Sequence, residues 1–251
     1  MSKTILITGA TSGFGEAMTH VFAAAGNKLI VTGRNESVLA KLKETLVSKH
    51  NATVHTLCFD VQHKEAVFAA INSIPVAFKN IDVLINNAGL ALGRDAFQDA
   101  NLDDWETMID TNVKGLLYVS KAVLPLLIQN KKAHIFNIGS TAGVEVYKEG
   151  NVYCASKHAV AAISKSMRID LLPQHIKVTA IHPGAAETNF SSTRFKGDGI
   201  KAAAVYEGYK ALEAVDVASV AYYVTTLPDH VCINELVVTC TSQANSFYLH
   251  K

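Results

Sequence analysis

Seven short runs of apolar, largely β-branched residues recur along the chain, separated by longer stretches of mixed character. They are TILIT (4–8), LIVT (29–32), TVHTLCF (53–59), IDVLI (81–85), HIFNI (134–138), KVTAI (177–181) and ELVVT (235–239). Most are apolar at every position instead of alternating, which is the pattern of strands covered on both faces, and the gaps are long enough for helical crossovers. They predict an α/β fold: one seven-stranded parallel sheet with helices on both faces. After the first run the period changes, and Ala17, Met18, Val21, Phe22 and Ala25 recur at helical spacing. No repeat of fixed period and no low-complexity linker interrupts the pattern, so residues 1–251 read as a single domain. Pro183 to Gly199, PGAAETNFSSTRFKGDG, is small, polar and aperiodic, and it follows the sixth strand's carboxyl end, where ligands bind in open α/β sheets. It predicts a substrate lid at about 184–212. The tail after Val238 is too mixed to predict a regular element.

Composition narrows the partners. The chain has 251 residues, 49% of them hydrophobic, and 23 basic against 22 acidic side chains leave a formal net charge of +1. Without a block of like charges, neither a nucleic-acid groove nor an anionic membrane patch is expected, and a small-molecule partner fits better. The first apolar run flows directly into a glycine-rich turn rather than a cleavage region, and no uninterrupted apolar stretch reaches the roughly 18 to 20 residues that span a bilayer. A soluble, cytoplasmic protein is expected. Cys58, Cys154, Cys232 and Cys240 lack paired spacing, and the histidines form no H-x-H or H-x-x-x-H pair, so they predict small buried hydrophobes and no metal.

Chemistry enters with TGATSGFG, directly after the first strand. Glycines there permit a tight turn and close backbone approach to a phosphate at a helix N-terminus. Gly9, Thr11, Ser12, Gly13, Phe14 and Gly15 are therefore candidates to cradle a dinucleotide pyrophosphate. The spacing is G-x-x-x-G-x-G, and alone it reads equally well as an ordinary strand-to-helix turn. The end of the second strand decides the matter. Where an NAD enzyme would carry an acid for the ribose, this chain has Arg34 followed by Asn35, and a guanidinium binds a 2′-phosphate that a carboxylate would repel. NADP is the predicted cofactor, in a Rossmann fold. Asp60 and Val61 after the third strand, and Asn87, Ala88 and Gly89 after the fourth, would lie along the same edge, each of them also explicable as a loop cap.

Tyr153 and Lys157 stand four residues apart in a helical pattern and so share a face. An ammonium beside a phenol favours the phenolate and brings its pKa toward the range where it can trade protons near neutrality. Ser140, at the end of HIFNIGS, would reach the same edge and hold a carbonyl oxygen. Taken together, TGATSGFG, NNAG, TNVKG, Ser140, YCASK and HPG resemble the short-chain dehydrogenase/reductase superfamily in order and spacing. The resemblance implies a catalytic tetrad of Asn112, Ser140, Tyr153 and Lys157, in which Tyr153 is the general acid/base, Lys157 holds the nicotinamide ribose and Asn112 positions a water. It also implies cofactor contacts from Tyr153, Lys157, Pro183, Gly184 and Thr188, and a homotetramer built through helix faces and the C-terminal strand region.

The runs NNAGLALG, DWETMIDTNVKGL, NIGSTAG, GNVY, TRFKGD and TLPDHVCIN resemble more narrowly the NADP-dependent 3-hydroxy acid dehydrogenases. What this implies is an enzyme that interconverts serine, L-allo-threonine, 3-hydroxypropanoate or a related compound with its 3-oxo acid or semialdehyde. Ser140, Tyr153 and Arg194 are the candidate substrate residues, Arg194 for the carboxylate. Two alternatives stand beside this one. One is reduction of another ketone, sugar or lipid-like carbonyl, which Phe190 and Phe195 near the lid would suit, and the other is an NADP-sensing regulator without turnover.

Overall fold

A computed structural model describes residues 2–130 and 132–251. Its main sheet has seven parallel strands: β1 (Thr4–Ile7), β2 (Lys28–Gly33), β3 (Val54–Cys58), β4 (Val83–Asn86), β5 (His134–Ile138), β6 (Lys177–Pro183) and β9 (Glu235–Val238). All seven predicted strands form, within two residues of their expected ends. Their spatial order is β3-β2-β1-β4-β5-β6-β9, so the chain winds outward one way from β1 and then resumes from β4 on its other side. That reversal opens a crevice at the carboxyl ends of β1 and β4.

The unbroken apolar runs follow from the two covered faces, since successive strand residues point to opposite sides. Ile5 and Ile7 enter one core with Phe22, Val31, Phe136 and Val224, beneath α1 (Gly13–Ala24) and α9 (Ala214–Thr226). Leu6, between them, enters the other core with Ile30, Leu84, Val123 and Val178, beneath α3 (Lys64–Asn72) and α5 (Leu116–Asn130). α2 (Glu36–His50) packs beside α1, with Leu39, Leu42 and Leu46 buried.

α4 (Leu102–Ile109) continues into α5 through a π turn, Asp110–Gly115, making a helical run of 29 residues. By length and composition this run, alone among the described helices, could cross a bilayer, yet Val119, Val123 and Leu127 are buried in the sheet's core. α6 (Asn151–Asp170) carries Tyr153 and Lys157, and Asn151 ties down its first turn by accepting from Trp105 Nε1 at 3.1 Å and donating to the Asp95 carbonyl at 3.1 Å.

The stretch expected to be irregular is organised. It contains β7 (Ala186–Glu187), α7 (Asn189–Arg194) and α8 (Gly199–Ala204), and β7 pairs in parallel with β8 (Leu212–Glu213). Of the cysteines, Cys154 and Cys240 are buried as expected, whereas Cys58, at the end of the edge strand β3, is exposed.

Candidate active site

The site is built on the crevice between β1 and β4. After β1 the backbone enters the left-handed region at Gly9 (φ 61°), where a side chain would stand 2.9 Å from the Ala88 Cα. At Gly15 a side chain would collide with the Gly9 carbonyl and lie 2.5 Å from Asn87 Nδ2. The turn is held by Asn87, whose Nδ2 donates to the carbonyls of Thr8 (2.9 Å) and Gly9 (3.1 Å). Gly15 thus serves as a strut of the turn, while Gly9, Thr11, Ser12, Gly13, Phe14 and Asn87 line the cleft. Ser12, the N-cap of α1, makes no side-chain cap bond, so the first N–H groups of this helix are open to an anion in the cleft.

The far end of the cleft is lined by Gly33, Arg34, Asp60 and Val61. Arg34 and Asp60 pair at 3.7 Å, with 64% of the arginine side chain exposed. So long and exposed a pair holds the guanidinium loosely and leaves it available to a phosphate. Asn35 is a helix cap: its Oδ1 accepts from Val38 N–H at 3.2 Å and from Ser37 Oγ at 2.8 Å, and it does not line the cleft. Open backbone donors at one end, a close-approach glycine turn and a loosely held guanidinium at the other together fit a dinucleotide bearing an extra phosphate.

At the opposite end, Ala88, Gly89, Tyr153, Lys157 and Thr188 line the cleft. The ammonium of Lys157 donates to the Ile138 carbonyl at 2.9 Å and lies 6.0 Å from the centre of the Tyr153 ring. Burial holds Lys157 down to about 8. Tyr153 differs from the expectation of a lowered phenol. Burial pushes its pKa far above the ordinary range and Tyr147 adds to the rise, while a hydrogen bond from Ser140 and the charge of Arg194 pull it the other way.

Asn112, in the π turn, stands beside Gly89 near Lys157, and its carboxamide makes three hydrogen bonds. It accepts from Leu90 N–H at 2.8 Å and donates to Leu90 O at 2.8 Å and Ser156 Oγ at 3.0 Å. Its side chain thereby clamps the loop after β4 to α6.

A second cavity of about 210 Å³ meets the cleft at Phe14, Gly139, Tyr153, Thr188 and Phe190. Ser140, a candidate substrate residue, lines this second space, and so do Pro183 and Gly184, which were expected in the cofactor cleft. Arg194, the last residue of α7, reaches the same cavity. Its Nε donates to Gly93 O at 3.2 Å and its Nη1 to Tyr147 Oη at 3.0 Å, while Nη2 is buried with no partner. The guanidinium carbon lies 5.6 Å from the Tyr153 ring centre. An anion-binding donor and a phenol thus face one pocket. Tyr147 lines it as well, and so do Gln243 and Ser246, which were not anticipated because an aperiodic tail carries no pattern that marks them.

Residues 3–199 match the family model described as short chain dehydrogenase. The NADP-dependent 3-hydroxy acid dehydrogenase YdfG of Escherichia coli (strain K12) is 44% identical over 241 residues, covering 96% of each chain. Sulfoacetaldehyde reductase 2 of Chromohalobacter salexigens is 46% identical over 249 residues, covering 99% of this chain and 98% of its own. Among solved structures, the closed form of serine dehydrogenase complexed with NADP+ superposes with a TM-score of 0.92 at 44% identity, covering 99% of both chains.

Proposed function

The chain belongs to the short-chain dehydrogenase family and acts with NADP on a CH–OH group or its carbonyl, and from that premise we propose that its substrate is a short 3-hydroxy acid of the serine, L-allo-threonine or 3-hydroxypropanoate type, interconverted with its 3-oxo acid or semialdehyde. The observation that carries the reading is the unpartnered Nη2 of Arg194, buried in the cavity that ends at Tyr153. A buried donor without a partner is costly, and a substrate oxyanion supplies that partner. A sulfonate-headed aldehyde is the second reading, favoured by the similarity to a sulfoacetaldehyde reductase.

In this reading the open turn of α1 and Arg34 hold the phosphates of the cofactor, which when bound supplies or accepts the hydride. The Tyr153 phenol gives its proton to the carbonyl oxygen in reduction, and its burial keeps that proton in place at neutral pH. Ser140 orients the same oxygen. Lys157 donates toward the cofactor ribose, and segment 184–212 acts as a lid whose bonds from Arg194 to Gly93 keep water out. The reading includes a homotetramer in the cytoplasm, supported by the exposed Leu117, Ile169, Val237 and Tyr248 on helix faces and the C-terminal region and checked by light scattering.

The test is NADPH oxidation against 3-oxopropanoate, sulfoacetaldehyde and propanal, with wild type and Arg194→Ala. The variant is expected to raise KM for the charged aldehydes at least tenfold and leave propanal within twofold. An equal effect on all three removes Arg194 from head-group binding, and preference for an uncharged carbonyl in the wild type overturns the substrate class.

A further inference from the structure

The wall of the Arg194 cavity is completed by the chain's last residues. Gln243 anchors them, its Oε1 accepting from Ala185 N–H at 2.8 Å and its Nε2 donating to Asn245 O at 2.9 Å. Asn245 Oδ1 accepts from the N–H groups of Phe247 (3.1 Å) and Tyr248 (2.8 Å), and a bridge between Gln243 and Leu249 closes the loop. Glu145, in the loop between Ser140 and Tyr153, accepts from Ser246 N–H at 3.2 Å. The Glu145 bond holds Ser246 itself, and the other contacts fix the turn around it.

Ser246 lines that pocket, and its Oγ is buried without a hydrogen-bond partner. Five buried side-chain atoms among the described residues lack a partner, and two of them, Ser246 Oγ and Arg194 Nη2, belong to residues that line this one cavity. Both can donate, and both residues share the cavity with Tyr153.

Resting on the head-group reading above, we propose that the Ser246 hydroxyl is the second arm of the anion site. It donates to one oxygen of the carboxylate or sulfonate while Arg194 Nη2 donates to another, and the tethered C-terminal tail sets the span between the two arms. Substrate specificity is thus written partly in a segment that follows the last strand of the sheet. Glu145 and Gln243 are positioning residues in this arrangement, acting through the backbone of the tail.

The experiment compares Ser246→Ala and Ser246→Thr with wild type, using NADPH with 3-oxopropanoate and with propanal. Ser246→Ala is expected to raise KM for 3-oxopropanoate about tenfold with kcat within twofold, to leave propanal unchanged, and to leave NADPH affinity unchanged. Ser246→Thr, which keeps the hydroxyl, stays within threefold of wild type. The melting temperature of Ser246→Ala is expected to equal or exceed that of wild type, because removing an unsatisfied buried hydroxyl relieves a penalty. An equal KM rise for both aldehydes, or a lowered melting temperature, assigns the residue to structure and overturns the proposal, as does an unchanged KM. If Arg194→Ala still discriminates against the charged aldehyde while Ser246→Ala has no effect, only this inference falls. If neither variant discriminates, the head-group reading falls with it.

Discussion

At the scale of single residues, the chemistry turns on how burial and hydrogen bonds divide the work between Tyr153 and Lys157. A lysine one helical turn from a tyrosine suggests a lowered phenol, but the pocket sets the phenol high and the ammonium down to about 8. A phenol held high is a ready proton donor and a reluctant acceptor. Reduction should therefore run well at neutral pH, and oxidation of the hydroxy acid should climb as pH rises and the phenol comes nearer to losing its proton. Parallel pH profiles of kcat in the two directions check this, and identical profiles would contradict it. Tyr153→Phe should cut turnover in both directions by about a hundredfold or more while NADPH binding, measured by fluorescence titration, stays near wild type. Arg34 illustrates a residue that sequence reads well: its place after β2 marks it for an extra phosphate, and only its loose pairing with Asp60 needed coordinates.

At the scale of elements, the strands and the glycine turn were legible because each is a local pattern: unbroken β-branched runs for strands covered on both faces, and closely spaced glycines before a helical period. Segment 184–212 was legible as a functional loop by its composition, but its short helices and the β7–β8 pair were not, since six-residue helices and two-residue strands are too brief to show a period. The C-terminal tail was opaque for a different reason. Its position is set by tethers from Gln243 to Ala185 and from Glu145 to Ser246, contacts between residues far apart in the chain that no local pattern encodes. The π turn belongs with these. TNVKG locates Asn112, yet only the extra residue in that turn shows the carboxamide aimed at Leu90 and Ser156. Asn112→Ala would strand a buried N–H and a carbonyl of Leu90, at about 1–3 kcal/mol for each unsatisfied group. A fall of at least about 2 kcal/mol in unfolding free energy, read by urea denaturation, is expected, and no loss would mean the loop finds other partners.

At the scale of the whole molecule, the sheet carries a titratable group in its interior, and that couples stability to pH. His134 opens β5 in register with Val83 of β4 and Lys177 of β6, and it is 3% exposed. Its Nε2 lies 2.7 Å from Thr179 Oγ1, whose own hydroxyl donates to Ile233 O at 2.6 Å. The threonine oxygen must then accept, so His134 carries its proton on Nε2 and is neutral. Burial, together with the charges of Lys177 and Lys3, holds its pKa down to about 3, against an ordinary value of 6.5. Between those values the unfolded chain binds a proton that the folded chain refuses. The stability His134 contributes is therefore complete above pH 6.5 and is lost progressively as pH falls toward 3. At about 1.4 kcal/mol per unit, the loss attributable to His134 at pH 5 is about 2 kcal/mol. His20, His55 and His182, also lowered by burial, add to the same slope, so the isolating comparison is His134→Gln, which retains a donor for Thr179 without a titrating ring. Urea unfolding at pH 7.5 and pH 5 should show wild type losing about 2 kcal/mol more than the variant. Equal losses would mean that the sheet opens to protonate His134 at little cost, and that the two cores flanking β5 do not act as one cooperative unit.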